Sequence, residues 1–104
     1  MGEKQFRLRY LPLFEQDLNE IIDYIAFDLQ NPDAADQLLS DIQEAILKRL
    51  DRPTAFEAFH SVKERRWPYY RISVKNYYVF YVVMDDVMEV RRVMYSGRNW
   101  KKKL

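Results

Sequence analysis

Residues 70–95 read YRISVKNYYVFYVVMDDVMEVRRVMY, and this stretch decides the fold. Tyr70, Ile72 and Val74 alternate with Arg71, Ser73 and Lys75, the period of two of a strand with one wet face. Residues 77–84, YYVFYVVM, are apolar at both parities, which suits a central strand covered on both sides. Residues 87–95, VMEVRRVMY, alternate again. Lys75-Asn76 and Asp85-Asp86 stand where two-residue hairpin turns belong, although neither pair contains glycine. The reading is a three-strand antiparallel meander.

Upstream, the period changes to that of a helix. Phe14, Leu18, Ile21, Ile22, Ile25 and Leu29 form one apolar stripe with acids between its members. Asn31-Pro32 breaks it: Asn caps a new helix, Pro takes the first position, and Asp33 suits the positive end of the helix dipole. A second stripe runs through Ala35, Leu38, Leu39, Ile42, Ala45, Ile46 and Leu50, closed by Lys48, Arg49 and Arg52 and stopped by Pro53. So short a break predicts an antiparallel helical hairpin. Before it, Phe6, Leu8 and Tyr10 alternate with Arg7 and Arg9 as a short first strand. The predicted class is α+β: an N-terminal strand, a helical hairpin, then the meander, giving an antiparallel sheet of about four strands. Residues 54–66 are expected to be loop with a short helical turn, and Asn99 to Leu104 to fray.

With 104 residues, 48% of them hydrophobic, residues 1–104 are expected to form a single domain. No cysteine and one histidine, His60, exclude disulfides, thiolate zinc sites and multi-histidine metal sites. No apolar run reaches the length of about 20 residues that a membrane span needs, and no signal segment is evident, so a cytoplasmic location without membrane contact is expected. The net charge of +1 hides a division. Residues 1–51 hold 11 acids and 5 bases, whereas residues 52–104 hold 12 bases and 5 acids. The molecule should carry an acidic face and a basic one.

Neither glycine, Gly2 or Gly97, belongs to a phosphate-binding loop, and there is no nucleophile elbow or metal-binding helix. The chemistry-bearing residues lie in the last third, where cations interleave with rings: Lys63, Arg65, Arg66, Trp67, Tyr69, Arg71, Lys75, Tyr78, Arg91, Arg92, Tyr95, Arg98 and Trp100. Guanidinium groups take phosphates and rings stack on bases, so this set is a candidate nucleic-acid or target-binding surface. Arg91 and Arg92 are adjacent in one strand and must point to opposite faces. By parity Arg92 shares a face with Met88, Val90 and Met94, which predicts a structural role beside a helix carboxylate. Arg91 then shares a face with Glu89, Val93 and Tyr95.

DLNEIIDYIAFD and NPDAADQLLSDIQEAILKRL, followed by Arg52-Pro53, resemble the helical hairpin of RelE/ParE-superfamily toxins. So does the downstream order of Arg71-Ile72, Val74, Asn76-Tyr77, Val79-Phe80-Tyr81, Arg92-Val93, Tyr95 and Gly97-Arg98. The resemblance covers residues 5 to 99 and implies the toxin half of a type II toxin–antitoxin pair, neutralised by a cognate antitoxin protein. It implies no cofactor and no metal. Two activities are possible within the superfamily. ParE-like members poison DNA gyrase, and the helices here are more ParE-like. RelE-like members cleave mRNA in the ribosomal A site through the 2′-OH. On that second reading Arg71 and Arg98 would be the catalytic cations and Tyr95 the base, with Arg91 and Arg98 supplying the positive field beside its hydroxyl. Tyr78 stands where those nucleases commonly carry Arg, and no tyrosine follows Arg98. A third possibility is a non-toxic, decayed toxin retained as a binding module.

Overall fold

The computed structural model describes residues 5–61, 63 and 66–104. Four strands, β1 (Arg7–Tyr10), β2 (Tyr69–Val74), β3 (Tyr77–Met84) and β4 (Val87–Tyr95), form one sheet in the order β1-β4-β3-β2. Helices α1 (Pro12–Asp23) and α2 (Pro32–Arg49) form the hairpin, and a single turn, α3 (Trp100–Lys103), follows β4. β3 occupies an interior position, as its two-sided apolar pattern requires. The sheet is not wholly antiparallel: β1 pairs with β4 in parallel, from Arg7 opposite Val87 to Tyr10 opposite Val90. The hairpin carries the chain from β1 to β2 at the opposite edge, and the two reversals of the meander then bring β4 back parallel to β1.

The hairpin covers one face of the sheet. Phe14, Leu38, Ile42 and Ile46 pack there on Ile72, Val74, Val79, Tyr81, Met88, Val90 and Val93. Asn31 caps α2, its side-chain oxygen accepting from the Ala34 N–H at 3.2 Å, with Pro32 beginning the helix. Between the helices, Tyr24–Asp28 adopt π geometry, and the Leu29 N–H reaches back to the Tyr24 carbonyl at 3.0 Å. The wider turn rotates the stripe away from the core. Leu29, expected in the core, is therefore exposed, and Phe27 is 74% exposed. Gln30, at φ 52°, reverses the chain.

The opposite face is also covered. Tyr69, Phe80, Val82, Met94 and Leu104 form a second core, joined by Phe59, Trp67, Tyr78 and Trp100. The expected fraying of residues 99–104 does not occur. The Trp100 ring lies 5.1 Å from Phe80 and 5.5 Å from Phe59, and Ser61 Oγ donates to the Leu104 carbonyl. Burial of one indole and one leucine outweighs the solvation of three lysines that remain outside. Residues 54–61 form turns rather than a helix, and Phe59 bridges Tyr69 through paired backbone bonds of 2.9 and 2.7 Å.

One register shift matters for everything that follows. Phe80 pairs with Arg92, but Tyr81 pairs with Val90, leaving Arg91 as the extra residue of a β-bulge. The bulge inverts the parity of β4 beyond residue 91. Val93 joins Met88 and Val90 under the helices, while Met94 packs in the second core. The expected grouping of Arg92 and Met94 with Met88 and Val90, and of Val93 and Tyr95 with Glu89 and Arg91, is corrected accordingly.

Candidate functional site

Two grooves, on different sides of the sheet, contain Arg71, Arg92, Tyr95, Arg98 and Trp100 of the candidate residues. The first, of about 540 Å3, opens between α1, the π turn and the end of β4. Tyr24, Tyr77 and Tyr95 converge in it, with Ile21, Val93 and Met94 among its walls and Arg92, Arg98 and Lys103 as its cations. Tyr95 packs edge-on against Tyr77 at 5.9 Å between ring centroids. Burial, followed by the nearby Tyr95 and Tyr24, holds the Tyr77 phenol above the usual tyrosine range, so it remains a hydrogen-bond donor. Gly97 gives the Tyr95 ring its place: a Cβ there would stand 2.4 Å from Tyr95 Cε2.

Arg92 forms one wall of this groove. Its Nε donates to Asp17 Oδ2 at 2.6 Å and its Nη2 to Oδ1 at 3.0 Å, and the Val93 N–H donates to the same carboxylate at 3.2 Å. Asp17 lies on α1, so the pair ties the hairpin to β4. Arg98 and Lys103 have no side-chain hydrogen bond or ion pair among the described residues.

The second groove, of about 710 Å3, lies on the face opposite the hairpin and is lined by Phe56, Phe59, His60, Arg71, Trp100 and Lys101, among others. Arg71 sits over the Tyr78 ring at 4.3 Å and 5.4 Å from the centre of Trp100. The aromatic faces orient its guanidinium while leaving it exposed. Arg71 pairs across the strands with Phe80 of the second core, whereas Tyr95 pairs with Tyr77 under the helices. Arg71 therefore faces away from Tyr95 and Arg98, and the three do not form one constellation.

The remaining cations are dispersed. Lys75 bridges to Asp41 of α2 at 3.0 Å, and hydrogen bonds from Lys75 and Gln37 hold that carboxyl below the usual range. Arg66 lies 5.3 Å from the Trp67 ring. The Lys63 side chain is exposed, its backbone N–H bonded to Ser61 Oγ. Arg65 falls outside the described residues. Arg91 does not supply a field to Tyr95. It donates to Glu89 Oε1 at 2.9 Å and reaches the Tyr69 hydroxyl at 3.5 Å. Glu89, buried, also accepts from Arg9 Nε at 2.8 Å. Sequence reasoning missed Tyr24, Tyr77 and Lys103 as groove residues, because three separate elements bring them together. No group of three His, Asp or Glu among the described residues is placed to hold a metal ion, and no described helix is long and apolar enough to cross a membrane.

Comparison with known proteins then places the chain. The family model for the ParE toxin of the type II toxin-antitoxin system, parDE, matches residues 8–100. The chain belongs to the ParE toxin family. A ParE toxin is one half of a two-protein system, so the family implies a cognate antitoxin as partner. Among solved structures, a chain of the chromosomal ParDE TA system from P. aeruginosa is similar in fold, with a TM-score of 0.68 and 17% identity over 89% of this chain and 98% of that one. YafQ from E. coli strain BL21(DE3) aligns with a TM-score of 0.46 and 12% identity, covering 89% of this chain and 96% of that one. Curated proteins give no match. The ParE fold thus accounts for the whole sheet and hairpin.

Proposed function

We propose that this ParE-family chain is a cytoplasmic growth inhibitor that acts by binding DNA gyrase, and that a cognate antitoxin neutralises it. The observation that supports a binding mode over RNA cleavage is the separation of Arg71 from Tyr95 and Arg98 by the sheet. Cleavage through a 2′-OH needs a base and charge-stabilising cations around one phosphate, within hydrogen-bond reach. Here the base candidate packs edge-on against Tyr77 beside Gly97, and the aromatic-bound cation faces away from it.

The test is induction of the protein in growing cells, with DNA breaks and mRNA ends followed over the same minutes. Gyrase poisoning produces DNA damage before translation falls, and Tyr95→Phe remains toxic. Early mRNA cleavage within ribosomal A sites, abolished by Tyr95→Phe, would establish the nuclease reading instead. Unimpaired growth would identify a decayed toxin that retains only its partner contacts.

A further inference from the structure

Large apolar side chains left in water gather at the hairpin tip and the groove beside it. Tyr24 is 52% exposed, Phe27 74%, Leu29 55% and Tyr95 49%. Tyr24 and Tyr95 line the first groove. Phe27 and Asp28 stand three and four residues beyond Tyr24 in the same π turn, one turn further along that side of the helix. An apolar strip therefore runs out of the groove and onto the tip of the hairpin, and water against it is unfavourable until a second surface covers it. Charges of opposite sign divide along the strip. Arg98 and Lys103 line the groove, whereas Asp23 and Asp28 are exposed on the tip, and none of the four forms an ion pair among the described residues. Within the groove Asp17 is already neutralised by Arg92, so only Glu20 offsets the two cations.

We infer that two copies of this chain pair about a twofold axis at this end, the Phe27 ring of each entering the first groove of the other. There the ring lies against Tyr24 and Tyr95, and Asp28 of each copy meets Arg98 and Lys103 of the other. The patch is self-complementary. Each copy offers an apolar tip that carries carboxylates and an apolar groove that carries cations, so a twofold pairing satisfies both, once in each direction. The groove, of about 540 Å3, falls in the range of about 300–1,000 Å3 that accommodates whole ligands, and a phenyl ring is smaller than these. A nucleic-acid backbone does not suit the same strip, because Asp23 and Asp28 repel phosphates. Pairing covers Tyr95 and Arg98 on both copies and so closes the groove of each.

This pairing is independent of the choice of target, and it is tested on the purified full chain alone. Sedimentation velocity over a hundredfold range of concentration should show a 12.7 kDa monomer passing into a dimer and no further. High salt should weaken the dimer. Phe27→Ser should raise its dissociation constant at least tenfold without changing the melting curve, because the ring is exposed in the single copy. Leu47→Ser, at a leucine 59% exposed on α2, should leave it within twofold. Asp28→Lys and Arg98→Asp should each weaken pairing. The two variants mixed should pair with each other, since both contacts between positions 28 and 98 then join opposite charges. If Arg98→Asp does not fold, Lys103→Asp takes its place. A chain that stays monomeric throughout overturns the inference. So do a dimer indifferent to Phe27→Ser, a mixture no more paired than its components, and growth beyond two copies, which would mark an open head-to-tail contact.

Discussion

Arg92 and Asp17 meet as a bidentate pair, Nε to Oδ2 at 2.6 Å and Nη2 to Oδ1 at 3.0 Å, across 75 residues of sequence. Both side chains are mostly shielded from water, and the carboxylate also accepts the Val93 N–H. The pair is therefore a clasp between hairpin and sheet as well as a wall of the first groove.

Arg92→Ala should lower stability by about 3 kcal/mol, because it leaves a largely buried carboxylate without its cation. For a domain of this size that corresponds to a fall in melting temperature of roughly 10 °C or more. Arg71→Ala removes only an exposed group resting on rings and should melt within a few degrees of wild type. A wild-type melting curve for Arg92→Ala would end the structural assignment.

Arg71→Ala should reduce toxicity while leaving the fold intact, if the second groove contributes to target binding. Growth curves after matched induction provide the measurement, with protein levels checked by immunoblot. Undiminished toxicity would remove Arg71 from the target-binding surface and leave the exposed Glu57, His60 and Lys101 as the candidates in that groove.

Gly97→Ala introduces a methyl group into space held by the Tyr95 ring. The backbone at Gly97 is not left-handed, so the cost is steric alone. The half-exposed ring can swing outward, which limits the loss of stability to about 1 kcal/mol. Nuclear Overhauser contacts between Tyr95 and Tyr77 should disappear. Their persistence would mean that the ring accommodates the methyl without leaving its place.

Alkaline pH should destabilise the protein through its buried phenols. Burial raises the Tyr77 and Tyr81 hydroxyls, although the Arg49 bond to Tyr81 opposes the shift. The folded state thus favours the protonated phenol more than the unfolded chain does. That contribution is complete below the unfolded value of about 10 and is lost as pH rises through the folded values. Urea unfolding at pH 8, 10 and 11 measures the slope. Tyr81→Phe should be less stable at pH 8, since Tyr81 donates to the Pro53 carbonyl at 2.7 Å, and should show a shallower alkaline decline. An identical decline in both proteins would place the titrating group elsewhere.

Sequence by itself determined the class of the four strands and the two long helices, and most of the core beneath the hairpin. Period two in residues 70–95 and helical spacing from Phe14 to Leu50 are local signals, and burying each apolar stripe leaves few ways to assemble the elements. Asn31-Pro32 named its own helix start because capping is a contact within four residues. The resemblance to the RelE/ParE superfamily followed from the order of those same residues. Tertiary structure alone decided which residues meet. Arg91 as a bulge residue is invisible in the alternation of VMEVRRVMY, yet one extra residue inverts every side chain after it and exchanges the cores that Val93 and Met94 enter. The π turn likewise takes Leu29 off the buried stripe. The tail looked solvated because lysines dominate it, and only the presence of Phe59, Tyr78 and Phe80 on the uncovered face of the sheet gives Trp100 a place to bury. The candidate trio of Arg71, Tyr95 and Arg98 separated for the same reason: strand parity and sheet faces, which no spacing along the chain encodes once a bulge intervenes, determine what can touch.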